Sequence, residues 1–324
     1  MRAAYYEKNG TAKEVLHVGE VETPKPGPGE VRIKLKTSGV NPSDVKNRMG
    51  TTRKIAFPRV IPHSDGAGVI DAVGEGVATS RIGERVWTWN GQWKRPFGTA
   101  AEYITLGAQQ AVKLPDGISD EAGACLGIPA LTAWHAVDIA GTTRGSTLLV
   151  AGGAGAVAHY AIQFAKARGA TVITTISSPE KAKLAREAGA DHTIDYKREN
   201  VGERIAALTK GGVDAMIELD LTANAPLIPV TLRPHGTLVV YGTGPVVQFP
   251  GSFCLVNNIT VKFMIVYELT PDARARAIAD ITRMLAANSL IHNVAARFAL
   301  DDIVAAHEAV EQGRAIGNVV VTLG

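Results

Sequence analysis

Cysteine is nearly missing from this chain: Cys125 and Cys254 are the only two in 324 residues, and the first hundred residues contain none. Two thiols are too few for a disulfide framework or a structural zinc site, and they read as buried thiols of a cytosolic protein. No apolar run is long enough to span a bilayer. The opening stretch MRAAYYEKNG lacks an apolar signal core, so a cytoplasmic protein without membrane partners is expected. Charge of one sign is also lacking. Thirty-four Lys and Arg against 31 Asp and Glu give a net +3 with no basic tract, which argues against a nucleic-acid surface. Repeats and low-complexity segments are absent. What remains, at 46% hydrophobic and 20% charged residues, is ordinary globular composition with length for about two domains.

The pattern changes once along the chain. The first ~120 residues are β-rich and irregular, with short strands between Gly turns that suggest a distorted barrel. AAYYE and VRIKLKTSGV flank ETPKPGPGE, a Pro/Gly segment that resists helix and sheet alike. NPSDVKNRMG opens as a helix with Pro42 and Asp44 in the first turn. SDEAGACLGIPALTAWHAV reads as one helix capped by Ser119 and a second over Pro129–Asp138. From Ser146 strands and helices alternate, as in a doubly wound parallel sheet, with NAPLIPVTLRP read as a helix interrupted by prolines. DARARAIADITRMLAANSL is a strong amphipathic helix. VAARFAL and GNVVVTL are strands without crossover helices, able to rejoin the N-terminal β domain and make the nucleotide-type domain an insertion.

The centre of that alternation is STLLVAGGAGAVAHYAIQFAKARGATVITTI, residues 146–176: strand, glycine turn, helix, strand. Gly153, Gly155 and Ala158 fit the G-x-G-x-x-G/A dinucleotide fingerprint, with Gly152, Ala156 and Val157 completing the turn and the helix start. Gly153 is assigned the tight turn, Gly155 the approach to a pyrophosphate, and Ala158 the helix–strand packing. The helix N-terminus then offers free N–H groups to phosphates. A plain βα turn is the competing reading. An NAD site places an acid ~20 residues beyond the turn. Here Ser177 and Ser178 stand there with Lys181 behind them, suited to a 2′-phosphate and hence to NADPH. Tyr241, Gly242 and Thr243 follow the TLVVYG strand, where an open parallel sheet binds ligand.

GVNPSD, HSDGAGVI, GERVW, GTAAEY, GIPALTAW, AGGAGAV and GNVVV occur in the order of the medium-chain dehydrogenases/reductases. The chain resembles their zinc-free quinone oxidoreductase (zeta-crystallin-like) branch over essentially its whole length. The resemblance implies a Rossmann domain, residues 125–266, inserted into a GroES-like β-barrel domain made of 1–124 and 267–324, with the cofactor between them. Where zinc enzymes of the superfamily carry Cys and His, this chain has Asn41 and Ser64, which are poor zinc ligands; Asp65 alone keeps the pattern and His63 is one place off it. No metal is expected. By resemblance Lys181 and Tyr196 lie on the 2′-phosphate and adenine-ribose side, Thr132 near the nicotinamide, and Asn318 at a cleft-facing turn.

Without a Lewis acid, hydride transfer favours an electron-poor acceptor. The expected activity is NADPH:quinone reduction. Reduction of 2-alkenals or enones is the alternative, and an NADPH-binding structural or nucleic-acid-binding protein is the reading from another class. Asn41 is the candidate hydrogen-bond donor to a developing oxyanion, shared by an alternative as a turn residue before Pro. Lys46 stands where relatives carry a Tyr, and Lys46 or Arg48 is a candidate for orienting substrate, with a solvated surface charge as the competing reading; Asn41, Lys46 and Thr132 form the expected catalytic set. The cluster Trp87, Trp89 and Trp93 is expected to be structural. NITVKFMIV is an apolar edge strand, so a homodimer is expected through it.

Overall fold

A computed structural model describes residues 1–51 and 54–324. By contacts the chain divides into Met1–Pro129 with Ile278–Gly324, and Ala130–Ala277.

The first unit is a β domain. Its strands are β1 (Arg2–Tyr5), β2 (His17–Glu20), β3 (Glu30–Val40), β4 (Asp65–Val73), β5 (Arg85–Thr88), β6 (Tyr103–Gly107) and β7 (Ala111–Lys113). Strands β1 and β2 pair alone. The long β3 alternates apolar and polar residues up to Lys36, so Val31, Ile33 and Leu35 enter the core. The Pro42–Met49 helix follows it directly. Asn41 precedes the helix in extended conformation, Pro42 fills the position whose N–H needs no partner, and Asp44 accepts the Asn41 N–H at 2.8 Å. Trp87 is wholly buried on β5 and belongs to the core.

The second unit is a parallel sheet: β8 (Thr147–Val150), β9 (Thr171–Ile176), β10 (His192–Asp195), β11 (Val213–Glu218), β12 (Leu232–Val240) and β13 (Thr260–Phe263). Their order in space is β10-β9-β8-β11-β12-β13, the dinucleotide-fold order, so the winding reverses between β8 and β11. Leu148, Leu149, Val150, Val172, Ile173, Met216, Ile217, Leu238 and Val239 are all buried, as expected for strands covered on both faces. Each such side chain contributes about 1.5–3 kcal/mol by leaving water. Two sequence expectations shift here. Pro129 lies in a π-helical turn, Leu126–Ala130, and the helix proper is Leu131–Ile139. NAPLIPVTLRP is not one helix. Pro226 and Pro229 divide it into short turns, and Leu232 already opens β12.

The chain then returns to the first unit with β14 (Val294–Ala299) and β15 (Asn318–Thr322). β15 runs antiparallel to β3, with Val319 opposite Val40 and Val320 opposite Gly39. The dinucleotide-type domain is thus an insertion in the β domain. Among the described residues no helix is long and apolar enough to cross a membrane.

Candidate active site

In the second unit the glycine turn joins β8 to the Ala156–Ala167 helix. Gly152 is the residue in the left-handed region, at φ +67, so the tight turn is made there and not at Gly153 as the spacing suggests. Its N–H donates to Thr175 Oγ1 at 3.0 Å, and the Gly153 N–H donates to the Thr175 carbonyl at 3.1 Å. Thr175 thus clamps the turn from β9. Gly153 is needed for close approach, because a Cβ would stand 2.3 Å from Thr174 Oγ1. Gly155 caps the helix, is exposed, and has only the Gly152 carbonyl near its missing Cβ, at 3.2 Å. Ala156 and Val157 open the helix half-buried, with N–H groups that have no partner earlier in the helix. Ala158 is buried.

At the end of β9 the Lys181 ammonium donates to Ser177 Oγ at 2.9 Å, and Ser178 caps the Pro179–Glu187 helix through the Lys181 N–H. Ser177, Ser178 and Lys181 are therefore together. Tyr196 follows β10, its N–H bonded to the Ile176 carbonyl at 3.1 Å and its side chain exposed. Thr132 is buried in the first turn of the Leu131–Ile139 helix. Tyr241 donates its N–H to the Glu218 carbonyl at 3.0 Å, and Gly242 lies so close to the next loop that a Cβ would meet the Leu219 carbonyl at 1.9 Å. Thr243 is exposed beside it. Sequence reasoning missed Glu218, which is wholly buried at the end of β11. An acid closing the apolar run VDAMIE was its signal. Burial pushes its carboxyl up, opposed by the Asp220 N–H, the Asn224 amide and the Leu219 N–H and reinforced by the Asp220 charge.

In the first unit a second polar group forms around Asn41. Asn41 is buried, and its Nδ2 donates to Asp65 Oδ2 at 2.8 Å. The amide that sequence reasoning assigned to a substrate oxygen is thus engaged by Asp65. Burial pushes the Asp44 carboxyl up to about 7, against the hydrogen bonds from Asn41. Burial, reinforced by Asp44, pushes Asp65 well above the usual carboxylate range. Asn41 therefore joins two buried acids that favour their neutral forms. Lys46 is exposed on the same helix. Asn318 opens β15, and the Val319–Val40 register carries it toward Asn41; its Nδ2 donates to the Asn293 carbonyl at 3.1 Å.

Behind this group His63 and His307, both wholly buried, meet Nε2 to Nε2 at 2.9 Å. The proton positions follow from the chain of bonds. Thr99 Oγ1 lies 2.6 Å from the Asp65 carbonyl, which only accepts, so Thr99 donates. Ser38 Oγ, 2.8 Å from Thr99 Oγ1, must then donate to it, leaving Ser38 to accept from His63 Nδ1 at 2.8 Å. His63 Nε2 is therefore bare and accepts from His307 Nε2. His63 holds this place at φ +75, a conformation that favours glycine. Burial lowers the His63 pKa to about 3. It also lowers His307 well below its ordinary value, with His63 and Arg48 adding to the effect. Arg48 is wholly buried, its guanidinium on the Gly10 carbonyl at 2.6 Å and on Glu311 at 2.7 Å.

Residues 27–116 match the alcohol dehydrogenase GroES-like domain, and residues 156–283 the family described as zinc-binding dehydrogenase. A quinone oxidoreductase of Pseudomonas aeruginosa is 32% identical over 316 residues, 95% of each chain. The chain belongs to the quinone oxidoreductase branch of the medium-chain dehydrogenases/reductases. A 2-haloacrylate reductase of a Burkholderia species is 28% identical over 99% of this chain and 98% of its own. A mycobacterial protein solved in complex with NADPH superimposes with a TM-score of 0.89 at 28% identity, covering all of both chains.

Zinc does not fit this member of the branch. The positions that carry ligands in zinc dehydrogenases hold Asn41 and Ser64, and the Asn41 amide presents an N–H donor to Asp65, where a cation would need a lone pair. Among the described residues no three His, Cys, Asp or Glu side chains gather as a metal site. A dinucleotide does fit. Gly152 and Gly153 are packed against Leu219 and Thr174, while Gly155 is exposed with open space before it, and the first turn of the following helix supplies N–H groups without a partner earlier in the helix.

Proposed function

We propose that this protein is a zinc-independent, NADPH-dependent oxidoreductase that delivers hydride to a quinone. The observation that carries the reading is the end of β9, where Lys181 and Ser177 form a hydrogen-bonded pair in place of the acid that would bind an NAD ribose. The mycobacterial NADPH complex and the quinone oxidoreductase of Pseudomonas aeruginosa support it.

The bound nicotinamide would supply the hydride chemistry. The protein's own residues bind and align. The N–H groups of Ala156 and Val157 take the pyrophosphate, the Gly155 N–H being held by the Gly152 carbonyl at 2.8 Å. Lys181, Ser177 and Ser178 take the 2′-phosphate, with Tyr196 on the adenine-ribose side. Thr132, Tyr241, Gly242 and Thr243 border the nicotinamide half. Asn41 acts by holding the Asp44 and Asp65 acids in place, and the exposed Lys46 orients the acceptor. Reduction of an activated alkene is the second reading, favoured by the likeness to the 2-haloacrylate reductase.

Turnover with 1,4-benzoquinone, 9,10-phenanthrenequinone and 2-alkenals, followed by NADPH absorbance, separates these. Quinones are expected to be the best acceptors, with NADPH preferred over NADH. Lys181→Ala should weaken NADPH roughly 10- to 100-fold, the worth of a charge-assisted hydrogen bond, and leave NADH unchanged. Tight NADPH binding without turnover of any acceptor would instead support a structural or nucleic-acid-binding role.

The edge strand β13 supports a homodimer. Phe263, Ile265, Leu255 and Val256 are 64%, 49%, 80% and 77% exposed on and beside it, an apolar surface next to unpaired strand edge. A second copy pairing there is twofold and self-complementary. Light scattering at micromolar concentration is expected to give twice the chain mass, and Phe263→Glu to halve it; a wild-type monomer would sink the idea. The free, buried Cys125 and Cys254 support a reducing, cytoplasmic setting.

A further inference from the structure

Glu218 closes β11 at the point where the winding of the sheet reverses. Its neighbour β8 lies about 4.8 Å away. Val150 is in register with Ile217, and the Ala151 N–H donates to the Ile217 carbonyl at 3.0 Å, so Glu218 stands level with Ala151, one residue before the glycine turn. Its two oxygens differ. Oε1 accepts from the Asp220 N–H at 2.6 Å and from Asn224 Nδ2 at 2.9 Å, fastening the 219–224 segment. Oε2 is buried and has no hydrogen-bond partner. The titratable groups that face the carboxyl are Asp220 ahead of the Leu221–Asn224 turn and Tyr241 at the end of β12; β8 presents none. Among the described residues no cation acts on it.

We propose that Glu218 is a positioning residue for the dinucleotide, admitting the anionic nucleotide to the crevice only while its carboxyl carries a proton. This rests on the NADPH reading above. In the neutral state the carboxyl braces the loop that packs against Gly152 and Gly242, since a Cβ on either glycine would collide with Leu219. In the ionised state a buried, half-partnered charge lies one strand away from the site of the pyrophosphate, in a medium that screens poorly. By linkage, nucleotide binding must then carry a proton onto Glu218. Tyr241 feels the same charge, because Glu218 is among the groups that raise its phenol.

The test uses NADPH alone, without an electron acceptor, and titrates it by fluorescence from about pH 5 to 9. The wild type is expected to weaken up to ~10-fold per pH unit above the ionisation of Glu218. It should also take up close to one proton per nucleotide bound, read by calorimetry in two buffers of different ionisation enthalpy. Glu218→Gln should match the wild type at the acid end, show less than ~2-fold change across the range, and lose the proton uptake. If Glu218→Gln does not fold by circular dichroism, Asp220→Asn serves: it keeps the cap on Ala223 and removes a charge that favours the neutral carboxyl, so the wild-type profile should move to lower pH. Parallel profiles and equal proton uptake in wild type and variant would overturn the inference and leave the nucleotide site standing. Absence of NADPH binding by the wild type at every pH would overturn both.

Discussion

Asp44→Asn should make the folded protein sensitive to acid. Four buried groups around the Pro42–Met49 helix set its response to pH, and they act in two opposed pairs. His63 and His307 refuse protons in the folded state that the unfolded chain accepts at the ordinary value of 6.5, so stability is lost as pH falls below 6.5, down to about 3 for His63. Asp44 and Asp65 do the reverse. Asp44 holds its proton up to about 7 against an ordinary 3.8, so its contribution is full below 3.8 and is lost as pH rises through about 7; Asp65 shifts the same way. Between the ordinary carboxylate and imidazole values the two pairs therefore act on stability in opposite directions. Asparagine at 44 mimics the neutral acid but binds no proton. One imidazole is then unopposed, and the variant should lose about 1.4 kcal/mol per pH unit relative to wild type in that window. Over two units that is ~3 kcal/mol, a large share of an ordinary ~5–15 kcal/mol stability. Urea unfolding of both proteins at a series of pH values measures it. Parallel curves would mean that Asp44 is ionised in the folded protein at pH 5.

Much of the fold was legible because its signals are local. The strand–turn–helix–strand stretch at 146–176, the absence of an acid at the end of β9, and the two closing strands without crossover helices each depend on neighbours in sequence. Partners far apart carry no such trace. His63 and His307 are separated by 244 residues, and a lone His on the apolar face of IVAAHEAVE reads as core until its partner is known. The Asn41 amide could be recognised as a donor, but its direction is set by Asp65, 24 residues on and buried with it. The turn itself shows the limit of a motif. Spacing located three glycines and not which of them takes the left-handed conformation. Gly152 does so because the clamp from Thr175 fixes the backbone on both sides of it. Proline spacing misled in the other direction, as 224–234 holds enough apolar residues for a helix that Pro226 and Pro229 do not allow to run.

Two alanine substitutions in that turn, two residues apart, should fail in different ways. Gly153→Ala drives a methyl to within 2.3 Å of Thr174 Oγ1 and 2.8 Å of Thr174 Cγ2. Thr174 cannot retreat: it is wholly buried and its hydroxyl is held by the Val150 carbonyl at 2.5 Å, which ties β9 to β8. The clash therefore falls on the sheet, and overpacking of this kind costs about 1–3 kcal/mol. Gly155→Ala meets nothing but the Gly152 carbonyl at 3.2 Å, on backbone at φ −70 that alanine adopts freely. Its stability should fall less than that of Gly153→Ala, since the Gly152 carbonyl need give by only a few tenths of an ångström. Gly155 is exposed, so the new methyl stands at the surface of the turn, where the pyrophosphate is proposed to reach the helix N–H groups. NADPH affinity should fall at least ~10-fold while thermal unfolding of the free protein moves less than in Gly153→Ala. Scanning calorimetry and NADPH fluorescence titration on the same two samples read both effects. A Gly155→Ala protein that binds NADPH as tightly as wild type would mean that the pyrophosphate does not lie over this turn, and the dinucleotide would have to be held by some other edge of the sheet.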